Sequence, residues 1–301
     1  MSIIERKEIR SLEPGQRQKL FDAFLKLKES GKYDKYTEWH YVTMMSQAGT
    51  EPAGTTARNF AHVSPIFLPW HRAYLIRLEQ DLRSVSDDSV SMPYWDWTID
   101  SALQNPVKSI IWNDDYFGSS NTISGKVETG PFKNWKINFT TTIDGRSITI
   151  NEFLTRRFRT RTERLPFIDE VTRVIENLTD YDVYPWERTP NIYFRPALEF
   201  EIHNPVHRWI DGTMRREYSP GDPIFYLHHC NIDRIWAAWQ IKHNYYDKYP
   251  NDGEIRDTNN IRIDGQNRND KMWPWKEQND KMLKDFLDFR SYYKYDQLPS
   301  I

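Results

Sequence analysis

Apolar residues recur along this chain at helical spacing in several separated stretches. Leu20, Phe21, Phe24, Leu25 and Leu27 share a face of residues 15–30, which predicts a helix ending at Gly31. Residues 34–46 predict a second helix, carrying His40. Leu68, Leu75, Leu78 and Leu82 mark one face of a third, starting near Pro69, since Pro is tolerated in a first turn. Glu79 and Arg83, four residues apart, predict a supporting ion pair on it. Residues 166–178 predict a further helix, and Pro205 places the start of the next near His203 or Asn204. Residues 224–241 predict the last, with Leu227, Ile235, Trp236 and Trp239 as its apolar face. Between the helices, residues 100–165 hold Gly118, Gly125, Gly130, Gly145 and many Asn, Thr and Ser, which predicts loops and short strands. Residues 245–280 predict an irregular surface excursion. The expected fold class is mainly α, with long loops and a few short strands.

Composition narrows this picture. Of 301 residues only 38% are hydrophobic, but 15% are aromatic, so the core should be built from Trp, Tyr and Phe. The single Cys230 forms no intramolecular disulfide. A net charge of −2 gives no push toward nucleic acid or acidic membranes, and no apolar run is long enough to span a bilayer. The N-terminus lacks the apolar stretch of a signal peptide, so the expected location is cytoplasmic, with export by another route left open. Repeats and Gly/Ser linkers are absent. Histidines that belong together lie on both sides of residues 100–165, which predicts one domain over residues 1–301.

Those histidines carry the candidate chemistry. Seven of the eight fall into two groups: His40, His62 and His71, and then His203, His207 and the pair His228-His229. His203 and His207 are four apart and share a face if helical. His71 falls on or near the buried face of its helix, and burying several imidazoles without partners is costly. A metal would satisfy them together. Peptidase motifs of the His-Glu-x-x-His type are absent, and no His has Glu three residues before it, as a ferritin-like di-iron site requires. Cys230 projects about 100° away from His229 on a helix and is expected to be a small packed residue rather than a ligand. Imidazole-only coordination points to a pair of copper ions. Other signals are weaker. His243 is expected to be an ordinary polar residue. Gly49-x-x-x-x-Gly54 lacks the Lys of a phosphate loop, and Arg156, Arg157, Arg159, Arg161 and Arg164 are expected to be solvated or paired with acids.

The motif Ala61-His62-Val-Ser-Pro-Ile-Phe67-Leu-Pro-Trp-His71-Arg72 resembles the first copper motif of the tyrosinase family of type 3 dicopper proteins. His203-Asn204-Pro-Val-His207-Arg208-Trp209, with Asp222-Pro-x-Phe225-x-x-His228-His229-x-x-x-Asp233-Arg234-x-Trp236, resembles the second. Tyr293-Lys-Tyr295 resembles the Tyr-x-Tyr that closes the family's catalytic domain. The likeness covers roughly residues 15–100 and 180–300, and in size is nearest the short bacterial tyrosinases.

This resemblance implies a four-helix bundle core holding two coppers, one on His40, His62 and His71 and one on His203, His207 and His229. His228 then takes a position the family does not use as a ligand. Phe225 should pack against ligand imidazoles, and Asp233 should either fix an imidazole tautomer or pair with Arg. Glu199 matches an acidic residue that holds a water, and Asn204 one that helps polarise it. Arg208 lies by the ligands, and Arg215, Arg216 and Glu217 fall where the family has small or apolar residues near the mouth. The implied activity uses O2 to hydroxylate monophenols ortho to their OH and to oxidise o-diphenols, both giving o-quinones, the chemistry of melanin-type pigments. The alternatives are a catechol or o-aminophenol oxidase with little monophenolase activity, and an oxygen carrier. No C-terminal shielding domain is expected, and no Cys between His40 and His62 can form a thioether. A loop or a separate partner protein would shield the site or deliver copper, and an oligomer is compatible.

Overall fold

The computed structural model describes residues 3–45, 60–159, 163–183, 191–250, 266–275 and 281–299. In chain order its elements are β1 (Ile4–Arg6), α1 (Pro14–Glu29), α2 (Lys32–Met45), α3 (Phe67–Ser84), α4 (Trp97–Ser101), β2 (Lys136–Ile143), β3 (Arg146–Phe153), α5 (Ile168–Asn177), α6 (Phe194–Ala197), α7 (Asn204–Ile210), α8 (Ile224–His243) and β4 (Tyr293–Tyr295). The expected helices are present within a few residues of their predicted bounds, save the start of the one that carries His203. The segment Gly49–Gly54 and Arg161 lie outside the described residues.

Helices α2, α3, α7 and α8 enclose the histidines. α3 packs on α8, α1 on α2 and α3, and α5 on α8. Their shared core is aromatic, as composition predicts: Trp70, Trp95, Trp97, Trp209, Trp236 and Trp239 are fully buried. Each such ring removes about 150–250 Å² from water, worth roughly 4–6 kcal/mol before entropy is subtracted. No helix among the described residues is long and apolar enough to cross a membrane.

The sequence reading starts a helix near His203, but the structure starts it at Phe194. From Phe194 the chain runs continuously through a π-helical stretch, Leu198–His203, into α7. The Asn204 N–H bonds the Glu199 carbonyl five residues back, the π spacing, just before Pro205, which has no N–H to give.

Residues 100–165 hold a regular hairpin. β2 pairs antiparallel with β3, Lys136 opposite Phe153 and Ile143 opposite Arg146. Asp144 and Gly145 close it with φ of 49° and 75°, the left-handed geometry a two-residue hairpin turn needs. Alternate β2 residues turn inward, and Phe139 packs on Tyr41 of α2 at 5.5 Å. β1 and β4 pair in parallel, Ile4 opposite Tyr293, joining distant parts of the chain.

Buried charge is matched throughout the core. The fully buried Arg6, Arg72, Arg156 and Arg195 pair with Glu79, Asp233, Asp222 and Asp182 respectively. Such pairs make removal of one partner costly. One expectation is corrected here and one is sharpened. Glu79 does not pair with Arg83. It faces the core, taking Arg6 at 3.0 Å and the Met92 N–H at 2.7 Å, while Arg83 donates to the Val90 carbonyl. Arg156 is paired with an acid, as one of the two expected alternatives has it, but in the core rather than at the surface, with Asp222 at 2.7 Å. Cys230 is buried, as expected, and burial pushes its thiol up to about 12, so it is inert at neutral pH.

Candidate metal centre

Seven imidazoles converge between the four helices. Within each of two groups, His40, His62 and His71, and then His203, His207, His228 and His229, the available ring nitrogens lie within 4.8 Å of one another. His40 comes from α2, His71 from the first turns of α3, and His62 from the non-helical stretch just before α3. His203 ends the π-helical stretch, His207 lies one turn on in α7, and His228 and His229 lie in α8. The groups face each other closely: the rings of His71 and His229 stack at 4.2 Å. Phe67 fits between them, 4.9 Å from both His71 and His203. Phe225 lies against His229 at 4.1 Å and His40 at 5.2 Å, where the resemblance expects an aromatic ring.

Hydrogen bonds fix which nitrogen carries the proton. His40 Nδ1 donates to the Glu217 carbonyl at 2.8 Å, His71 Nδ1 to the Phe67 carbonyl at 2.8 Å and His207 Nδ1 to the Met214 carbonyl at 2.6 Å. His203 Nδ1 donates to Asn204 Oδ1 at 2.9 Å. A carbonyl only accepts, so each of these rings is left with a bare lone pair on Nε2. The Nε2 atoms of His40 and His71 are buried with no partner. Those of His203 and His207 point at His229 Nε2, at 3.1 and 3.4 Å. Protonation does not relieve this crowding. Burial pushes His40 down to about 3 and His207 to about 4. Burial first, then neighbouring imidazoles, pushes His62, His71, His203 and His229 well below the ordinary value. Neutral rings with converging lone pairs are what a soft-to-borderline cation requires, and among the described residues no thiolate or carboxylate joins the set. These residues fit copper.

His228 is the odd member. The Trp97 indole N–H donates to its Nδ1 at 3.2 Å, so its proton sits on Nε2 and no lone pair is free. Its ring packs against His203, stacked at 5.1 Å.

Glu199 is buried beside the stretch that carries His62. Its Oε1 accepts from the Val63 N–H at 2.8 Å and its Oε2 from Arg195 at 2.7 Å. Val63 follows His62 directly and has φ of 57°, uncommon for a β-branched residue. Asp233 does not touch an imidazole. It takes Arg72 Nε at 2.7 Å and the hydroxyls of Tyr293 and Tyr295, so of the two expected roles the structure shows the pairing with Arg. Arg208 pairs with Glu163 at 2.8 Å. Arg215, Arg216 and Glu217 have exposed side chains, and it is the main chain of that segment that reaches the histidines. Sequence reasoning missed this strap, Phe67 as the shared ring, and Asn204 as a partner of His203. A backbone carbonyl leaves no residue-type signal, but Asn directly after a candidate ligand could have suggested the last.

Fold and centre together define a dicopper oxidoreductase. Residues 30–242 match the common central domain of tyrosinase. The chain is 35% identical to the tyrosinase of Streptomyces glaucescens over 300 residues, 97% of this chain and 98% of that one. It is 32% identical to the grixazone synthase of Streptomyces griseus over 321 residues, 97% and 99% of the two chains. Its fold is similar to that of a tyrosinase from Burkholderia thailandensis, with a TM-score of 0.65 at 16% identity, covering 98% of this chain and 75% of that one. The chain belongs to the tyrosinase family.

Proposed function

We propose that this chain uses O2 to convert monophenols to o-quinones by ortho-hydroxylation and to oxidise o-diphenols to o-quinones. One O2 turns a monophenol into an o-quinone and one water, or two o-diphenols into two o-quinones and two waters. Tyrosinases similar over nearly the full length support the reading. His40, His62 and His71 would hold one copper and His203, His207 and His229 the other. Bound there, the metal pair supplies electron transfer to O2.

The remaining demand is on the chain's own groups. A monophenol must lose a proton, and a phenol pKa near 10 makes that cost about 4 kcal/mol at pH 7. The observation that carries the monophenolase reading is the buried carboxylate of Glu199, one turn before His203. Burial raises its carboxyl above the ordinary value, against the pull of Arg195 and the Val63 N–H, which makes it a stronger base than a solvated carboxylate. Each of its oxygens accepts one bond, so lone pairs remain for a water. Asn204 spends its Oδ1 on His203 and keeps its amide N–H groups for that water. The water would take the phenolic proton toward Glu199.

A second reading, a catechol or o-aminophenol oxidase with little monophenolase activity, is favoured by one fact: both oxygens of Glu199 already have structural partners. Glu199→Gln separates the two. On the first reading phenol hydroxylation falls about 10²–10⁴-fold and catechol oxidation far less. Equal loss in both, or loss in neither, overturns the base role. The depth of the site supports delivery of copper by a partner protein, since His40, His71 and His229 are at most 3% exposed. Rapid full loading of the purified chain by free copper salt would remove the need for one.

A further inference from the structure

Four arginine side chains play no part in holding the imidazoles: those of Arg157 and Arg159 after β3, and those of Arg215 and Arg216 in the strap. The two pairs are far apart in sequence, and the fold brings them together. The Thr213 N–H donates to the Thr155 carbonyl at 2.9 Å, and the Thr155 N–H to Thr213 Oγ1 at 3.1 Å. Gly212, with φ of 57°, approaches so closely that a Cβ there would lie 2.3 Å from the Thr155 carbonyl oxygen. Only Gly permits this contact.

The four guanidiniums open onto one cavity of about 460 Å³ between β3 and the strap. Two carboxylates line it and both are engaged. Asp211 takes Arg159 Nε at 2.6 Å, and Glu152 Oε2 accepts from the Tyr218 hydroxyl at 2.8 Å. Among the described residues Arg157, Arg215 and Arg216 form no ion pair; Arg157 donates to the Ser124 carbonyl, at 3.3 Å. Glu152 keeps its charge, so three unpaired guanidiniums against one carboxylate leave an excess of two positive charges around the concave space, which raises the local positive potential. Guanidinium forks match the paired oxygens of carboxylate and phosphate. No histidine of the metal centre lines the cavity.

We propose that this cavity binds an oxyanion, a phosphate or a carboxylate, on the outer face of the strap whose inner carbonyls hold His207 and His40. The site is distinct from the one where phenols react. Its ligand bridges the strap to the end of the hairpin.

The test is calorimetric titration of the copper-loaded protein with inorganic phosphate, and separately with citrate, at ionic strength held constant with sodium chloride. The expected result is saturable one-site binding of at least one anion, weakened at least about tenfold in Arg157→Ala/Arg216→Ala. Tighter phosphate binding supports the site with a phosphoryl ligand; tighter citrate binding supports it with a carboxylate. The two guanidiniums are exposed, so an unchanged urea midpoint is expected in the variant and shows that its fold is intact. No saturable binding of either anion, or equal affinity in wild type and double variant, overturns the proposal. Arg83→Ala, distant from the cavity, is the control for general loss of positive charge.

Discussion

His203 and His207 sit one turn apart in a single helical run, and His229 comes from the neighbouring α8. His40 and His71 also come from helices, but His62 lies outside any helix, beside a Val63 held at positive φ. Local helix geometry thus assembles most of one cluster, while the other needs an irregular stretch pinned from outside. The pin is Glu199, which belongs to the run that ends in His203. The second cluster's own helical run therefore positions the loop of the first. A carboxylate can serve placement and proton transfer together, and in this site the two roles meet on one side chain.

Acid tests the comparison most severely. In the metal-free protein the imidazoles stay neutral when folded but protonate near 6.5 when unfolded. Their stabilising contribution is complete above pH 6.5 and is lost as pH falls toward about 4 for His207 and about 3 for His40. Each buried ring removes about 1.4 kcal/mol per pH unit in that window. Urea midpoints from pH 7 to 4 should fall steeply. A midpoint that stays flat between pH 7 and 5 would show that the folded protein does not hold these rings neutral.

Glu199→Ala should cost about 1–3 kcal/mol, because it leaves the Val63 N–H and one Arg195 N–H buried without an acceptor, while Arg195 keeps Asp182. Denaturation reads the stability. Copper analysis should show about half the metal lost, from the His62 cluster. Loss from both clusters equally would mean that Glu199 does not favour one loop.

Asn204→Ala frees the His203 Nδ1–H and should weaken copper at the second cluster about 10–100-fold, read by competition with a chelator. An unchanged affinity would show that helix geometry alone orients His203. Val63→Gly should have the smallest effect. It relieves the left-handed strain and raises metal-free stability by about 1 kcal/mol, while slackening the His62 loop. A loss of stability would show that the Val63 side chain contributes more by packing than its φ costs.

Much of this was legible in residue spacing. Leu20, Phe24 and Leu27 marked α1, and Leu75, Leu78 and Leu82 marked α3, because a buried helix face repeats every three or four residues. The histidines were legible because imidazoles at helical spacing have few other uses. What escaped depended on partners distant in sequence. Glu79 looked like half of a surface pair with Arg83, yet its partner Arg6 lies 73 positions away. The π-helical entry to His203 was hidden because Pro205 marks a helix start in the sequence, whereas the helical run already begins at Phe194. Met214 and Glu217 act through carbonyls, which every residue possesses.

The two short parallel strands have a consequence in time. Asp233 lies one turn after His229 on α8, and its partners Arg72, Arg6, Tyr293 and Tyr295 are supplied from both flanks of the chain. During synthesis, His229 emerges while the groups that neutralise and anchor its helix are still incomplete. The β1–β4 seam cannot close until residue 295 has left the ribosome. Until that seam closes, Asp233 on the helix of His229 lacks the hydroxyls of Tyr293 and Tyr295 as partners.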